Sequence, residues 1–158
     1  MTAGVHEPSD FQVAVGTRRE GSERPRGLAR RFPSDPSSIG AARRAVDELG
    51  AWLQPGLLAD LQLLVSELVA NSVEHGPRGD GETIRLAVSI SNARVRGEVQ
   101  DGGRGFVPTA SRPPVDAPSG RGLYVVDQLA SGWGVTGADG STRVWFELDC
   151  EGFEAADA

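Results

Sequence analysis

A chain of 158 residues, of which 39% are hydrophobic, suits one domain with one core. Its net charge of −6 argues against a protein that neutralises nucleic-acid phosphates or anionic lipid, so we expect no direct nucleic-acid or membrane partner. With one cysteine, two histidines and no lysine, an internal disulfide, a zinc cluster, a Walker-type lysine loop and Schiff-base chemistry are not expected. No apolar run approaches the roughly 20 residues that span a bilayer, and the polar N-terminus has no apolar signal core, so the sequence predicts a cytoplasmic protein.

The first half of the chain predicts a tail, one strand and two helices. Residues 1–27 mix Gly, Pro, Ser, Arg and Glu without a sustained apolar period, which is typical of a disordered tail. A short strand is predicted at Leu28–Phe32, and the Ser and Asp residues after it offer caps for a helix over Ser38–Trp52. A second, amphipathic helix runs from Leu57 until Gly76-Pro77 ends it, because its inward residues recur at three- and four-residue steps: Leu57, Leu58, Leu61, Leu64, Val65, Leu68 and Ser72.

The second half predicts strands with one helix among them. Strict alternation of apolar and polar residues predicts two half-buried strands over residues 83–101, joined at Ser91-Asn92. A Pro-rich, irregular stretch, Gly102–Ser119, separates them from a helical pattern over Gly120–Ala130. Two more strands around a Gly/Asp turn follow between residues 133 and 148. We therefore expect an α/β fold, a two-layer sandwich of a mainly antiparallel mixed sheet and about three helices, in a domain over 28–150 with a tail at 151–158.

Asp101 stands out at the end of the second strand of this hairpin. Val95, Gly97 and Val99 point toward the buried face, and Asp101 continues their series. A carboxylate there is costly unless a partner donates a hydrogen bond to it, and the glycines that follow in DGGRG let a ligand approach the backbone. The exocyclic amine of adenine is a suitable donor, whereas guanine presents an acceptor at that position. The alternative interpretation is that DGG is only a turn after a strand.

A second glycine-rich stretch opens the predicted third helix. Ser119 and the Gly120-Arg121-Gly122 sequence lie where unpaired backbone amides and the helix dipole attract anions, so a phosphate chain fits there. Glycines in a flexible loop before the helix would explain the same sequence equally well. Neither glycine stretch completes the dinucleotide fingerprint, which argues against a nicotinamide-dependent enzyme.

Polar residues interrupt the apolar pattern near the end of the second helix. Glu67 and Asn71 are four residues apart and stack on one side of the helix, with Glu74 and His75 one turn further on. The neutral oxygen of Asn71 suits a Mg²⁺ held mainly by phosphates and water, and Glu67 can orient or deprotonate a nucleophile near that metal. The alternative is a solvated polar face on which His75 acts as a helix C-terminal cation.

The three stretches ELVANSVEHG, DGGRG and GRGL, in this order and with a long lid between the last two, resemble the GHKL ATP-binding fold. That fold is shared by histidine kinases, gyrase-type ATPases and bacterial anti-sigma serine kinases. The anti-sigma-factor type is the most similar, because its helix motif has glutamate, asparagine four residues later, and then His-Gly. The resemblance covers about Leu28 to Asp149. It implies ATP and Mg²⁺ binding through these positions: Asn71 on the metal, Asp101 and Thr142 on adenine, Gly103 and Gly105 shaping the pocket, and Gly120, Arg121, Gly122 and Leu123 along the phosphates.

The resemblance implies a cytoplasmic serine/threonine protein kinase with Glu67 as the catalytic residue. Such a kinase phosphorylates an anti-sigma antagonist protein, and sequestration of a sigma factor and formation of a homodimer are left open. The alternative, from a different class, is a non-catalytic ATP-dependent binding module, which has no need of a base at Glu67. A detached histidine-kinase catalytic domain is a third interpretation, but no histidine on a dimerising helix precedes the motifs.

Overall fold

The computed structural model describes residues 26–77, 79–91, 94–103, 121–138 and 140–150. Residues 1–25 of the predicted N-terminal tail, the predicted C-terminal tail and nearly all of the Pro-rich stretch expected to form the lid lie outside these residues. Arg26 and Gly27, which were predicted to end the tail, instead begin the first strand. The described elements are β1 (Arg26–Pro33), α1 (Ser37–Asp47), α2 (Pro55–His75), β2 (Thr83–Ile90), β3 (Arg94–Asp101), α3 (Arg121–Leu129), β4 (Gly132–Ala138) and β5 (Ser141–Asp149).

The strands form one five-stranded sheet in the order β1-β2-β3-β5-β4. Every pairing among the described strands is antiparallel. The helices cover one face, and their apolar residues share a core with alternate residues of the strands. The predicted two-layer α/β sandwich is therefore confirmed, although the sheet has no parallel pair in the described part of the chain and is not mixed there.

Helix α2 crosses the centre of the helix layer and provides much of the core. Its buried side chains follow the predicted spacing, at Leu61, Leu64, Val65, Leu68, Val69 and Ser72. Below it, the ring of Phe146 fills the space over Gly97, where an added Cβ would collide with the ring. Glycine at 97 thus lets β3 and β5 pair in register while a large aromatic ring packs inward.

The length and apolar composition of α2 also meet the simple criteria for a membrane-spanning helix, with a mean hydropathy of 1.3 over its most apolar window. The sequence prediction that no run approaches that length therefore understated how apolar α2 is. Most of its leucines and valines pack in or against the core of the sandwich, and this packing accounts for most of the composition, while Leu63 is exposed.

Helix α1 ends earlier than the sequence predicts. It stops at Asp47 and not at Trp52, and the chain continues in tight turns in which the amides of Leu49, Gly50 and Trp52 each bond to the carbonyl three residues back. Glycine is a poor helix former, so Gly50 favours this change of pitch. The turns still bury Leu49 under the helix layer, which explains why the apolar pattern continued past the true end.

Cys150 follows β5 directly and is buried in the same core. Burial raises the pKa of its thiol, and the charge of neighbouring Asp149 raises it further. The thiol is therefore protonated at neutral pH.

The start of α1 gives a prediction about pH. The residue that caps α1 is Pro36, which makes no side-chain capping bond, but the Asp35 carboxylate accepts a hydrogen bond from the backbone amide of Ser37 at 2.8 Å. Hydrogen bonds from the Ser37 hydroxyl and amide lower the pKa of Asp35 below its ordinary value of 3.8. A lowered folded-state pKa contributes stability above the unfolded-state value, and this contribution is lost as pH falls through the folded-state pKa.

Asp35→Ala is therefore expected to lower the melting temperature at pH 7 and to have a shrinking effect as the pH falls below about 4. Thermal melts followed by circular dichroism across this range test the prediction. Asp80→Ala, which changes an exposed carboxylate in the loop after α2, is the matched control. A constant difference between Asp35→Ala and the wild type at all pH values would contradict the role of the charge.

Candidate nucleotide-binding site

A cleft of about 80 Å³ lies between the C-terminal half of α2 and the adjacent ends of β3 and β5. It opens on the helix-covered side of the sheet. Ten described residues line it: Leu68, Asn71, Ser72, His75, Gly76, Val99, Asp101, Gly103, Thr142 and Val144.

The part of the cleft formed by α2 is a single stripe of the helix. Its four lining residues, Leu68, Asn71, Ser72 and His75, and Gly76 directly after the helix recur at three- and four-residue steps and so share one face. Asn71 is half-buried on this stripe, and its amide forms no hydrogen bond within the described part of the chain. Asparagine is unfavourable in the middle of a helix, but at this position it provides an amide that can bind a ligand.

Glu67 lies one turn before Asn71 on the same side of α2. It is half-buried, does not line the cleft, and its carboxylate has no partner among the residues that the structure describes. Four residues separate it from Asn71, so the two side chains lie one above the other along the helix. The expected carboxylate-amide pair is therefore present, with the carboxylate just beyond the cleft.

At the end of α2, Glu74 and His75 differ in their relation to the cleft. Their side chains are 3.8 Å apart, and each is about half exposed at 49% and 53%. Only His75 lines the cleft. Glu74 therefore fits the alternative interpretation, in which this side of α2 is a solvated polar face. Asn71 and His75 instead face the cleft.

The other side of the cleft is a small hydrogen-bonded unit of Asp101, Gly103 and Thr142. Asp101 lies directly opposite Thr142 in the pairing of β3 with β5. The Gly103 amide donates to Asp101 Oδ1 at 2.7 Å, and Thr142 Oγ1 donates to the Gly103 carbonyl oxygen at 3.0 Å. Asp101 Oδ2 accepts no hydrogen bond from the described residues, so one carboxylate oxygen is free to accept from a ligand.

Two glycines let this unit sit against α2. A Cβ at Gly103 would lie 2.8 Å from Asp101 Oδ1 and 3.3 Å from Thr142 Oγ1. A Cβ at Gly76 would collide with the carbonyl oxygen of Ser72 and lie 3.1 Å from Asp101 Oδ2. A side chain at Gly103 would therefore have to displace the Asp101 carboxylate. One at Gly76 would have to move the Ser72 carbonyl and shift the carboxylate by a few tenths of an ångström.

Gly76→Ala is expected to destabilise the fold by about 1–3 kcal/mol, the usual cost of forcing a methyl group into a filled space. It should also weaken any ligand that depends on Asp101 Oδ2. Gly56→Ala, in the first turn of the same helix, is the matched control, because no atom lies within 4 Å of the added methyl group. Urea unfolding of the two variants tests this, and equal stability would contradict the close approach at Gly76.

The remaining predicted site residues fall in or next to α3. Gly105 and Gly120 lie outside the described residues, while Arg121 and Gly122 are the first two residues of α3. The Leu123 side chain is buried in the hydrophobic core and does not line the cleft. Its predicted place along the phosphates is therefore not a side-chain contact in this structure.

Four lining residues were treated from the sequence only as core positions: Leu68, Ser72, Val99 and Val144. Val99 and Val144 are register partners on the adjacent strands, two residues from Asp101 and Thr142 and on the same face of the sheet, so the two valines form the floor beside the polar unit. The available signal was the strand alternation itself, because inward residues next to a functional carboxylate must border its pocket.

The residues present fit a magnesium ion carried by a nucleotide better than a metal bound by protein alone. Within the described residues no group of three His, Cys, Asp or Glu side chains converges. Mg²⁺ commonly keeps water and phosphate ligands and takes one or two oxygens from the protein. The Asn71 amide, which has no hydrogen-bond partner in the described ranges, can supply such an oxygen.

A family model for the histidine kinase-like ATPase domain matches residues 32–148, which is more than half of the chain. The chain belongs to the histidine kinase-like ATPase family. The matched range includes all three motifs on which the resemblance was based, so that identification is confirmed at the level of the family. No curated protein matches the chain.

Solved structures match the chain at low sequence identity. The RsbU and RsbW domains of Rv1364c from Mycobacterium tuberculosis match with a TM-score of 0.58 and 22% identity, over 78% of this chain and 32% of that one. The histidine kinase domain of a blue-light activated kinase from Erythrobacter litoralis matches with a TM-score of 0.45 and 20% identity, over 74% of this chain and 61% of that one. The chain thus spans about a third of the first protein and less than two thirds of the second.

Proposed function

We propose that this chain is a cytoplasmic, Mg-ATP-dependent serine/threonine protein kinase of the anti-sigma-factor type. The observation that carries the proposal is Asp101 Oδ2, which accepts no hydrogen bond from any described residue and belongs to a carboxylate lining a cleft in a histidine kinase-like ATPase domain. A half-buried carboxylate oxygen without a partner is costly, and a donor on a ligand removes that cost.

Adenine is the base that suits this arrangement. Its exocyclic amine can donate to Asp101 Oδ2, whereas guanine would direct a carbonyl oxygen at the carboxylate and leave both acceptors unsatisfied. The buried Thr142 hydroxyl, which already fixes Gly103, lies beside the carboxylate and supports the same binding mode. The valines at 99 and 144 provide an apolar surface for the flat base.

The phosphates are assigned to the start of α3. A helix N-terminus presents unpaired backbone amides and the positive end of the dipole to an anion, and Arg121 and Gly122 occupy the first two helical positions. With Gly105 and Gly120, these residues are proposed to border the triphosphate. The metal would neutralise phosphate charge, and Asn71 is the residue proposed to hold it from the protein side.

Glu67 separates the kinase from the alternative, a non-catalytic ATP-dependent binding module. A carboxylate without a described partner, one turn from the proposed metal ligand, is available to orient or deprotonate an acceptor hydroxyl. A module that only binds has no use for it. The proposed acceptor is a serine or threonine of an anti-sigma antagonist protein. That assignment, the sigma factor and a homodimer rest on the motif resemblance, because the solved structures support the fold alone.

The test is incubation with γ-labelled ATP, Mg²⁺ and candidate antagonist proteins from the same genome. We expect label on a serine or threonine of one candidate, and no label when GTP replaces ATP. Binding of Mg-ATP without transfer to any candidate would favour the binding module. Failure to bind Mg-ATP by calorimetry would contradict both functions.

A further inference from the structure

The sheet face opposite the helices, here called the outer face, carries a row of arginines. In the strand register Arg31 pairs with Arg85, Arg85 with Gln100, and Gln100 with Arg143. The partners of each ladder share a face, so the row crosses β1, β2, β3 and β5. We call Arg31, Arg85 and Arg143 the arginine row.

The charge of the arginine row is mostly uncompensated. Arg31 forms one long hydrogen bond, from Nη1 to Thr83 Oγ1 at 3.5 Å, and Arg85 has no hydrogen bond or ion pair with any described residue. Like charges directly opposite each other in a ladder destabilise a sheet. In a chain whose net charge is −6, a destabilising positive row on one face indicates an interaction surface.

Arg143 is held in place by a buried carboxylate. Glu98 is only 4% exposed, and its Oε1 accepts from Arg143 Nε at 3.0 Å. Its Oε2 is buried without a hydrogen-bond partner, a costly arrangement for an ordinary surface residue. The bond to Nε fixes the guanidinium plane and leaves both terminal amino groups of Arg143 without a described partner. The side chain stays 38% exposed, so those donors are accessible.

An aromatic surface borders the row. Trp145 pairs with Glu98 in the ladder and lies against β4, where a Cβ at Gly134 would be 2.7 Å from its Nε1. The guanidinium of Arg96 stacks over the ring, 4.6 Å from its centroid. The outer face thus combines a flat aromatic ring with the guanidinium groups of Arg96 and of the arginine row.

We propose that the arginine row binds an acidic segment of a partner protein. A guanidinium matches a carboxylate in a two-bond fork, and Arg85 and Arg143 have the donors for it. The row crosses three strand spacings, roughly 14 Å, which an extended segment of about four or five residues spans. The overall negative charge of the chain disfavours binding of a long polyanion such as nucleic acid. A short acidic segment contacts only the arginine row, where the local charge is positive.

The probe for this surface is a fluorescein-labelled peptide of alternating Glu and Ser, eight residues long, titrated with the full chain at low salt. Fluorescence anisotropy should show binding that Arg31→Gln/Arg85→Gln weakens at least about tenfold, since each charge-assisted contact contributes that much. This variant keeps the Glu98–Arg143 pair and so leaves no buried charge alone. Arg43→Gln, an exposed arginine of α1 in the helix layer, is the control and should change affinity less than about twofold.

A second measurement locates the peptide. In the NMR spectrum the indole N–H signal of Trp145 should shift on peptide addition, while that of Trp52, beside α1, should not. The proposal is overturned if the peptide does not bind, or if Arg43→Gln weakens it equally. It is also overturned if Trp145 is unaffected. Equal or tighter binding of a phosphoserine peptide or a single-stranded oligonucleotide at the row would assign the surface to phosphate ligands instead. Self-association lost in the double variant would assign it to a second copy of the chain.

Discussion

Glu67→Ala is expected to lower the rate of phosphate transfer by about 10²–10⁴ while Mg-ATP affinity stays within a few-fold of wild type. The carboxylate lies one turn from Asn71 and does not line the cleft, so its removal should not disturb the bound nucleotide. Because Glu67 has no partner among the described residues, no described hydrogen bond of the fold is lost. Single-turnover transfer to the cognate partner and calorimetry with Mg-ATP separate the two effects.

Asn71→Ala provides the contrast on the same stripe of α2. It should lose nucleotide binding and transfer together, because the proposed metal connects this residue to the phosphates. Glu74→Ala removes an exposed carboxylate one turn further on and should leave transfer near wild type. If Glu67→Ala transfers phosphate at the wild-type rate, the general-base role is wrong. If no cognate partner is ever phosphorylated but regulation persists in Glu67→Ala, the ATP-dependent binding module replaces the kinase.

Asp101→Asn is expected to weaken ATP binding about ten- to a hundredfold and to reduce discrimination against GTP. The change replaces a charged acceptor with a neutral amide, and a hydrogen bond to a charged group contributes about 1.5–3 kcal/mol. The Gly103 amide can still donate to the Asn oxygen, so the strand end should keep its shape while the position facing adenine changes. Calorimetry with ATP and GTP measures both effects.

A matched control for this variant is Asp149→Asn at the other end of β5. This exposed carboxylate lies 3.7 Å from Arg94 and far along the strand from the cleft, so nucleotide affinity should not change. Unchanged ATP affinity in a folded Asp101→Asn protein would remove the adenine assignment.

The architecture was predictable because most elements carry a clear period. Three- and four-residue steps marked α2, and strict alternation marked β2 and β3, within a residue or two of their ends. The end of α1 was not predictable, because Leu49 and Leu53 stay buried after the helix has given way to turns. Apolar spacing reports burial, and it does not report the hydrogen-bonding pattern of the backbone.

At the site, the sequence indicated which side chains belong together but not how they are held. The parity of β3 correctly turned Asp101 inward, and the spacing of α2 correctly aligned Glu67 with Asn71. The bond from Gly103 to Asp101, and the close approach of Gly76, depend on how α2 meets the sheet, and neither spacing nor parity encodes that contact. The burial of Glu98 could not be predicted either. Strand alternation assigns Glu98 to the exposed face, where the long side chain of Arg143 contacts it.

The buried Cys150 thiol can be used to measure local unfolding at the end of β5. Alkylating reagents attack the thiolate, and burial both raises the pKa of this sulfur and keeps reagent from it. Modification therefore requires local unfolding, in which the end of β5 separates from the core. Because the chain has a single cysteine, each molecule is labelled on cysteine only once. The time course of iodoacetamide labelling, followed by mass spectrometry, therefore reports how often this local unfolding occurs.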